Sequence, residues 1–175
     1  MKANNNIAKK IGLNKANEKN LFYFVANVVV WRKSDGRCLI LNCHRSERVH
    51  PLKYSVIGGK LEWTDLDFKN PTRINGDVLD FEDSVEELLK REAQEEAGIR
   101  IGSKVMYLNS VAFVRPDGIP VVLVKFAAEH KGGKIQLEVG SFEDFAWVNA
   151  KEVKRFDCIE GIEQEIKRTI VYFSA

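Results

Sequence analysis

Proline is scarce in this chain, with four residues in 175, and cysteine is scarcer, with three. Cys38, Cys43 and Cys158 are an odd count without paired spacing. That argues against a secreted disulfide framework and for a reducing, cytoplasmic compartment. Long apolar runs are missing too. Nothing approaches the ~20 residues of a membrane-spanning helix, and the first twenty residues lack the continuous apolar core of a secretory signal. Neither sign of charge dominates: 27 Lys and Arg stand against 25 Asp and Glu, a net +2, which by itself implies no nucleic-acid partner. What is present is 45% hydrophobic and 30% charged residues in 19.9 kDa. That excludes a disordered or fibrous chain and is enough for one domain with a real core.

Residues 1–20 read as a basic, flexible arm: Lys2, Lys9, Lys10, Lys15 and Lys19 face a single acid, Glu18. Such a terminus is usually solvated, and a contact with a nucleic-acid backbone is the alternative. Residues 21–175 read as the domain. Phe22 to Trp31 suits a buried strand. Ser34-Asp35-Gly36 is turn chemistry, and Arg37 to Cys43 completes a hairpin. Tyr54 to Ile57 is a short strand ending at Gly58-Gly59. Residues 63–81, rich in Asp, Asn-Pro and Asn-Gly, read as a loop or excursion.

Asp83 to Ala97 is the strongest helical segment. Ser84 and Glu87 have capping-box spacing, and Gly98 stands where a C-terminal cap belongs. Strand signals return at Val105 to Val114, Val121 to Ala128 and Phe145 to Val148, and Glu160 to Tyr172 is a last amphipathic helix. Lys131 to Lys134 reads as a glycine turn. The order predicts an α/β (α+β) fold, an α/β/α sandwich around a mixed sheet.

On the 83–97 helix, Val85, Leu89, Glu92 and Glu96 fall along one stripe, with Glu95 to its side. The stripe changes from apolar to acidic towards the helix C-terminus, where the macrodipole already carries negative character and i,i+4 like charges repel. A solvated acidic face is one reading. The other is a site for a hard divalent cation, which takes oxygen ligands and would relieve both costs. Cys38, Cys43, His44 and His50 match none of the closed zinc spacings.

The segment Arg91-Glu92-Ala93-Gln94-Glu95-Glu96-Ala97-Gly98-Ile99, with Gly58-Gly59-Lys60-Leu61-Glu62 before it, resembles the signature of the Nudix (MutT-like) hydrolases, G-x5-E-x7-R-E-U-x-E-E-x-G-U, where U is a bulky apolar residue. The second half aligns without gaps, and Gly59 best matches the first glycine. Counting back from Arg91 reaches Asp83 where the family has Glu; Asp83 is expected in the first turn of the helix beside the Ser84 cap, a structural place rather than a metal one, with Glu82 as the alternative for the family role. Residues 60–82 then stand in place of five, an insertion of 18 residues beside the site, expected to help choose the substrate.

The resemblance implies a fold covering about residues 22–173 and hydrolysis of a nucleoside diphosphate linked to X, with Mg²⁺ or Mn²⁺. It implies Glu92, Glu95, Glu96 and the Gly59 carbonyl as metal ligands, and Arg91 as the fork that orients a carboxylate. Glu96 and Glu95 are also candidates for the catalytic base, as are Glu138 and Glu143 on a later loop. Tyr23, Phe24, Phe113 and Trp147 are available as walls for a base ring. The substrate class implied is a (deoxy)nucleoside triphosphate, oxidised forms included, or a nucleotide sugar such as ADP-ribose. An RNA 5′-end pyrophosphohydrolase and a non-catalytic nucleotide sensor are the alternatives. The expected partner is a small-molecule nucleotide, with neither nucleic acid nor membrane, and homodimers are common in the family.

Overall fold

The computed structural model describes residues 12, 16–47 and 49–175. The arm expected over 1–20 therefore falls mostly outside the described residues. Its last part, Glu18–Asn20, forms one 3-10 turn whose N–H groups are capped by Asn17.

Strands β1 (Tyr23–Arg32) and β2 (Arg37–Cys43) pair antiparallel, Trp31 opposite Cys38, as the turn at Ser34-Asp35-Gly36 predicts. Gly36 supplies the positive φ of that turn, at 68°. Two short strands follow, β3 (Tyr54–Ser55) on β2 and β4 (Ile57–Lys60) on β1. A separate hairpin, β5 (Arg73–Asn75) and β6 (Val78–Asp80), precedes helix α1 (Ser84–Ala97). Then come β7 (Arg100–Ile101), β8 (Met106–Val114), β9 (Pro120–Gly132), β10 (Phe142–Val148) and helix α2 (Ile162–Ser174). The main path of the sheet is β10-β2-β1-β9-β7, and β8 also pairs with β9. The β1–β9 pair is parallel and the rest are antiparallel, so the sheet is mixed.

Side chains alternate along β1, so each face of the sheet finds its own helix. Ala26, Val28 and Val30 pack with Leu39, Leu41 and Ile57 under Leu88, Leu89, Ala93 and Ala97 of α1. Val29 and Trp31 pack with Cys38, Ile40 and Val148 under Ile162 and Ile166 of α2. Trp31 stacks on Phe173 with centroids 4.9 Å apart. This is the expected α/β/α sandwich. Full burial of a residue such as Leu89 is worth about 1.5–3 kcal/mol. The alanines at 93 and 97 let α1 lie close to β4.

Three details differ from the sequence expectations. The 63–81 segment is not only a loop: Asn75-Gly76 helps turn a true hairpin, with Gly76 at φ 63° and an Arg73–Asp80 ion pair of 2.8 Å across it. The Ser84–Glu87 capping box does not form. Ser84 Oγ instead donates back to the Phe81 carbonyl at 2.7 Å, and Asp83 takes the N-cap place in the left-handed region, with no side-chain cap bond. Third, β9 runs through Lys131 and Gly132, so the expected 131–134 turn is half strand. The C-terminal cap is as expected: Gly98 N–H bonds the Gln94 carbonyl and Ile99 N–H that of Ala93, with Ile99 buried. Among the described residues no helix is long and apolar enough to cross a membrane.

Candidate active site at the glycine strand and the acidic helix

The site forms where β4 crosses the C-terminal half of α1. Gly58 and Gly59 are there because nothing larger fits. A Cβ on Gly59 would lie 2.0 Å from Glu92 Oε1, and one on Gly58 would lie 2.1 Å from Asn27 Oδ1 and 2.6 Å from the Ala26 carbonyl. Glu92 thus occupies the space that a side chain at 59 would take. Glu96, one turn on, accepts a hydrogen bond from Gly58 N–H at 3.1 Å. The stripe of Val85, Leu89, Glu92 and Glu96 does turn from core to acidic site along one face of the helix.

Electrostatically the pair is crowded. Burial pushes the Glu96 carboxyl well above the usual range; the Gly58 N–H opposes this, and Glu92, Glu138 and Glu95 add to it. Glu92 is also raised, by burial first, with Arg91 pulling the other way and Glu95, Glu138 and Asp65 pushing up. Arg91 is the counterweight. Its guanidinium lies 3.0 Å from Glu92, 2.8 Å from Glu95 and 3.6 Å from Asp65. Burial works against its charge, but these acids outweigh it and hold its pKa above the ordinary value.

Glu95 is more exposed than Glu92, 52% against 12%, and is turned to Arg91 rather than to the glycines. Glu138 is brought in from the segment after β9: its N–H donates to the Glu96 carbonyl at 3.0 Å, while Ile135 and Leu137 pack on the α1 core. Glu143 is placed elsewhere. It holds Arg45 through Nε at 2.9 Å and lies 3.6 Å from His44, and these partners lower its pKa. Of the four aromatics, Phe24 and Trp147 pack against the core, whereas Tyr23 and Phe113 stay exposed.

One residue escaped the sequence reading. Asp65, in the 3-10 turn Trp63–Asp65, lines the same cleft as Val25, Gly58, Gly59, Lys60, Thr64, Arg91 and Glu92, a space of about 520 Å³. Its Oδ2 accepts from the Glu62 N–H at 2.8 Å, which fixes the turn, and its Oδ1 faces Arg91. The signal was present: five residues separate Gly59 from Asp65, the G-x5-acid spacing counted forward. Asp83 stands at the far end of α1, and Glu82 pairs with Arg73 at 2.9 Å in the hairpin.

Glu92, Glu95 and Glu96 with the Gly59 carbonyl would offer an all-oxygen donor set, the chemistry that Mg²⁺ or Mn²⁺ takes. Among the described residues no three acidic, His or Cys side chains already stand at coordination spacing. The fit therefore rests on donor type, crowded negative charge and the missing Cβ at Gly59. Arg91 neutralises part of that charge and leaves the rest.

The family model for the NUDIX domain matches residues 23–168. No curated protein matches the chain by sequence. Among solved structures, the MutT protein from Methanosarcina mazei Go1 superposes with a TM-score of 0.60 at 15% identity, covering 88% of this chain and 96% of that one. The MutT NUDIX hydrolase from Burkholderia pseudomallei gives 0.61 at 20% identity, over 84% and 98%. The NUDIX domain of Shewanella oneidensis NrtR, solved as a complex with ADP ribose, gives 0.66 at 17% identity, over 92% and 96%.

Proposed function

Because this chain belongs to the Nudix family and is a Nudix hydrolase, we propose that it cleaves the diphosphate linkage of a nucleoside diphosphate linked to X. The observation that carries this is the pairing of Glu92 and Glu96 with the bare strand Gly58-Gly59, at the wall of an open cleft. The substrate class is a nucleoside triphosphate or a nucleotide sugar such as ADP-ribose, the ligand of the NrtR domain. Glu92, Glu95, Glu96 and the Gly59 carbonyl would hold a divalent cation, which would supply charge neutralisation for the diphosphate.

The chain's own residues do the rest. Arg91 holds Glu95 and Glu92 in one orientation, so that their oxygens are not free to scatter. Lys60, at the cleft wall, offers a cation to the phosphates. Water attacks one phosphorus, the bridging P–O bond breaks towards the leaving phosphate, and a carboxylate takes the water's proton. Glu138 is the group for that step, because it is exposed beside Glu96 and acts on both metal-site carboxylates, whereas Glu143 is committed to Arg45.

Chromatographic detection of nucleoside monophosphate formed from a panel of nucleoside triphosphates and nucleotide sugars, with Mg²⁺ and with EDTA, tests the reading. The expected result is metal-dependent conversion of at least one member to a nucleoside monophosphate. A panel hydrolysed by neither preparation would sink it and leave a nucleotide sensor.

A further inference from the structure

We propose that the chain associates with a second copy of itself through the free edge of β8, each copy seating its Pro116-Asp117-Gly118 turn in the groove between β8 and α2 of the other. β8 pairs with β9 on one side and, among the described residues, with no strand on the other. Its nine residues, Met106 to Val114, include no charge, no proline and no glycine. A long free edge of that kind is open to pairing with another strand, and lysine, proline or a bulge usually guards it. The register shift of β8 lies between Tyr107 and Asn109 and leaves the rest of the strand regular. Ser110 to Val114 are all exposed.

A second copy suits this edge because the run is self-complementary. Ala112 is the middle residue of the exposed stretch. A two-fold axis through it, normal to the sheet, sets the two β8 strands antiparallel and keeps each face continuous. Ala112 then meets its own copy, Val111 meets Phe113 of the second copy, and Ser110 meets Val114. An aromatic beside a β-branched residue is a favourable cross-strand pair, and no like charges are opposed. Val111 and Phe113 lie on the α2 face: through Leu123 and Val121 they are in line with Val25 and Tyr23, in phase with Val29 and Trp31 under α2.

The same symmetry fills the groove. Met106, Tyr107, Leu108, Arg168, Val171 and Tyr172 line a space of about 480 Å³ between the start of β8 and the end of α2. Met106 to Leu108 stand as far before Ala112 as Pro116 to Gly118 stand after it, so the axis carries the second copy's turn to this groove. The chemistry matches. Pro116 meets an apolar wall, and Asp117 meets Arg168, which among the described residues has no acidic partner and bonds only the Leu108 carbonyl, at 3.5 Å. Asp117 keeps its own Arg115 at 2.9 Å, and a carboxylate accepts from both. Tyr107, Val111, Phe113, Val114, Val171 and Tyr172 are exposed in the single chain. They offer on the order of 600 Å² per copy, against the ~800 Å² that one side of a standard interface buries, and the turn and strand backbone supply the rest.

Sedimentation velocity of the full chain, from micromolar to submillimolar concentration, is the test. Wild type should sediment at twice the chain mass of 19.9 kDa. Val111→Asp, which sets two acids close to the axis, should weaken association by at least about tenfold. Asp117→Arg should weaken it too, and Asp117→Arg combined with Arg168→Asp should restore it, because the exchange re-forms the pair. That rescue decides the matter if a single variant fails to fold. Mild oxidation of Ala112→Cys should give a disulfide-linked dimer, and Lys104→Cys, far from the axis, none. A wild type that stays monomeric overturns the proposal. So does a dimer that Val111→Asp leaves intact and Ala112→Cys does not lock, since it uses another face. A wild type that dimerises only after removal of residues 1–15 overturns it as well, and makes that segment the occupant of the edge.

Discussion

Asp65 Oδ1 faces Arg91 Nη2 at 3.6 Å, joining the first turn after the glycine strand to the middle of the acidic helix. Arg91 in turn holds Glu92 and Glu95. Asp65→Asn should therefore loosen the carboxylates and lower kcat, by about tenfold for a partly exposed pair, or ~1.4 kcal/mol of barrier. Steady-state kinetics with matched thermal melts check this: kcat falls while Tm stays nearly constant.

Asp83 should behave in the opposite way. It sits at φ 56° with no cap bond, a conformation that a non-glycine residue adopts at a cost. Asp83→Gly is expected to keep kcat within about threefold and to stabilise by ~0.5–1 kcal/mol. A loss of turnover comparable to that of Asp65→Asn would assign the acid role to Asp83.

These two residues also show what could be read in advance. The helix 84–97, its glycine cap and the Glu92–Glu96 stripe follow from spacing alone, because a helix turns its faces at a fixed period. The identity of the first acid does not. Counted back from Arg91 it is Asp83; counted forward from Gly59 it is Asp65. Removing residues 66–83 or residues 65–82 leaves the same polypeptide, so the linear pattern is degenerate and only the Arg91 contact separates the two. The hairpin inside the insertion was hidden for a different reason. Ile74 and Val78 are apolar but exposed, so its strands lack the half-buried alternation that marks a strand. The partners of Glu138 and Glu143 are set by tertiary packing of the 133–143 segment, which no local pattern encodes.

Glu96→Gln keeps shape and removes charge. Turnover should fall by about a hundredfold or more, since a metal-site carboxylate is lost. Without metal the same change relieves a buried acid crowded by Glu92 and Glu138. The EDTA-treated variant should then melt higher than EDTA-treated wild type, by ~2–4 °C for about 1 kcal/mol. An unchanged or lower Tm would mean that the crowding is not felt.

The two glycines should separate activity from stability. The atoms nearest to the Cβ of Gly59→Ala are all in the movable Glu92 carboxylate, so the change should displace that side chain and cut kcat with little change in Tm. Gly58→Ala meets the Ala26 carbonyl at 2.6 Å as well as Asn27, and backbone cannot swing aside. It should destabilise by about 1–3 kcal/mol. Paired chemical denaturation and kinetics distinguish the two patterns.

The thiols should be inert in the folded protein. Burial pushes Cys38 up to about 12 and Cys158 up to about 11, and raises Cys43. At pH 8 that leaves about one thiolate in 10⁴ at Cys38 and one in 10³ at Cys158. Iodoacetamide followed by mass spectrometry should label the native protein slowly, Cys158 before Cys38, and the urea-unfolded protein at all three positions.

Deleting residues 66–83 brings the chain to Gly59-x5-Asp-x7-Arg91, the spacing without an insertion. The excised piece carries the β5–β6 hairpin, whose strands, among the described residues, pair only with each other, while Thr64 and Asp65 at the cleft remain. The Phe68–Phe81 contact, with centroids 5.4 Å apart, leaves with the piece that contains both rings, and the remainder loses the Ser84–Phe81 bond that seats the helix start. The shortened protein should therefore fold, with a modest drop in Tm. It should keep metal-dependent turnover, because Arg91, Glu92, Glu96 and both glycines are untouched. Its ranking of nucleotides should change, since the removed segment leaves the cleft at Leu66 and returns at the head of α1. An unchanged ranking across the panel would show that the hairpin takes no part in substrate choice. Loss of all turnover in a folded variant would show that the remaining Asp, now one residue from Ser84, no longer reaches Arg91.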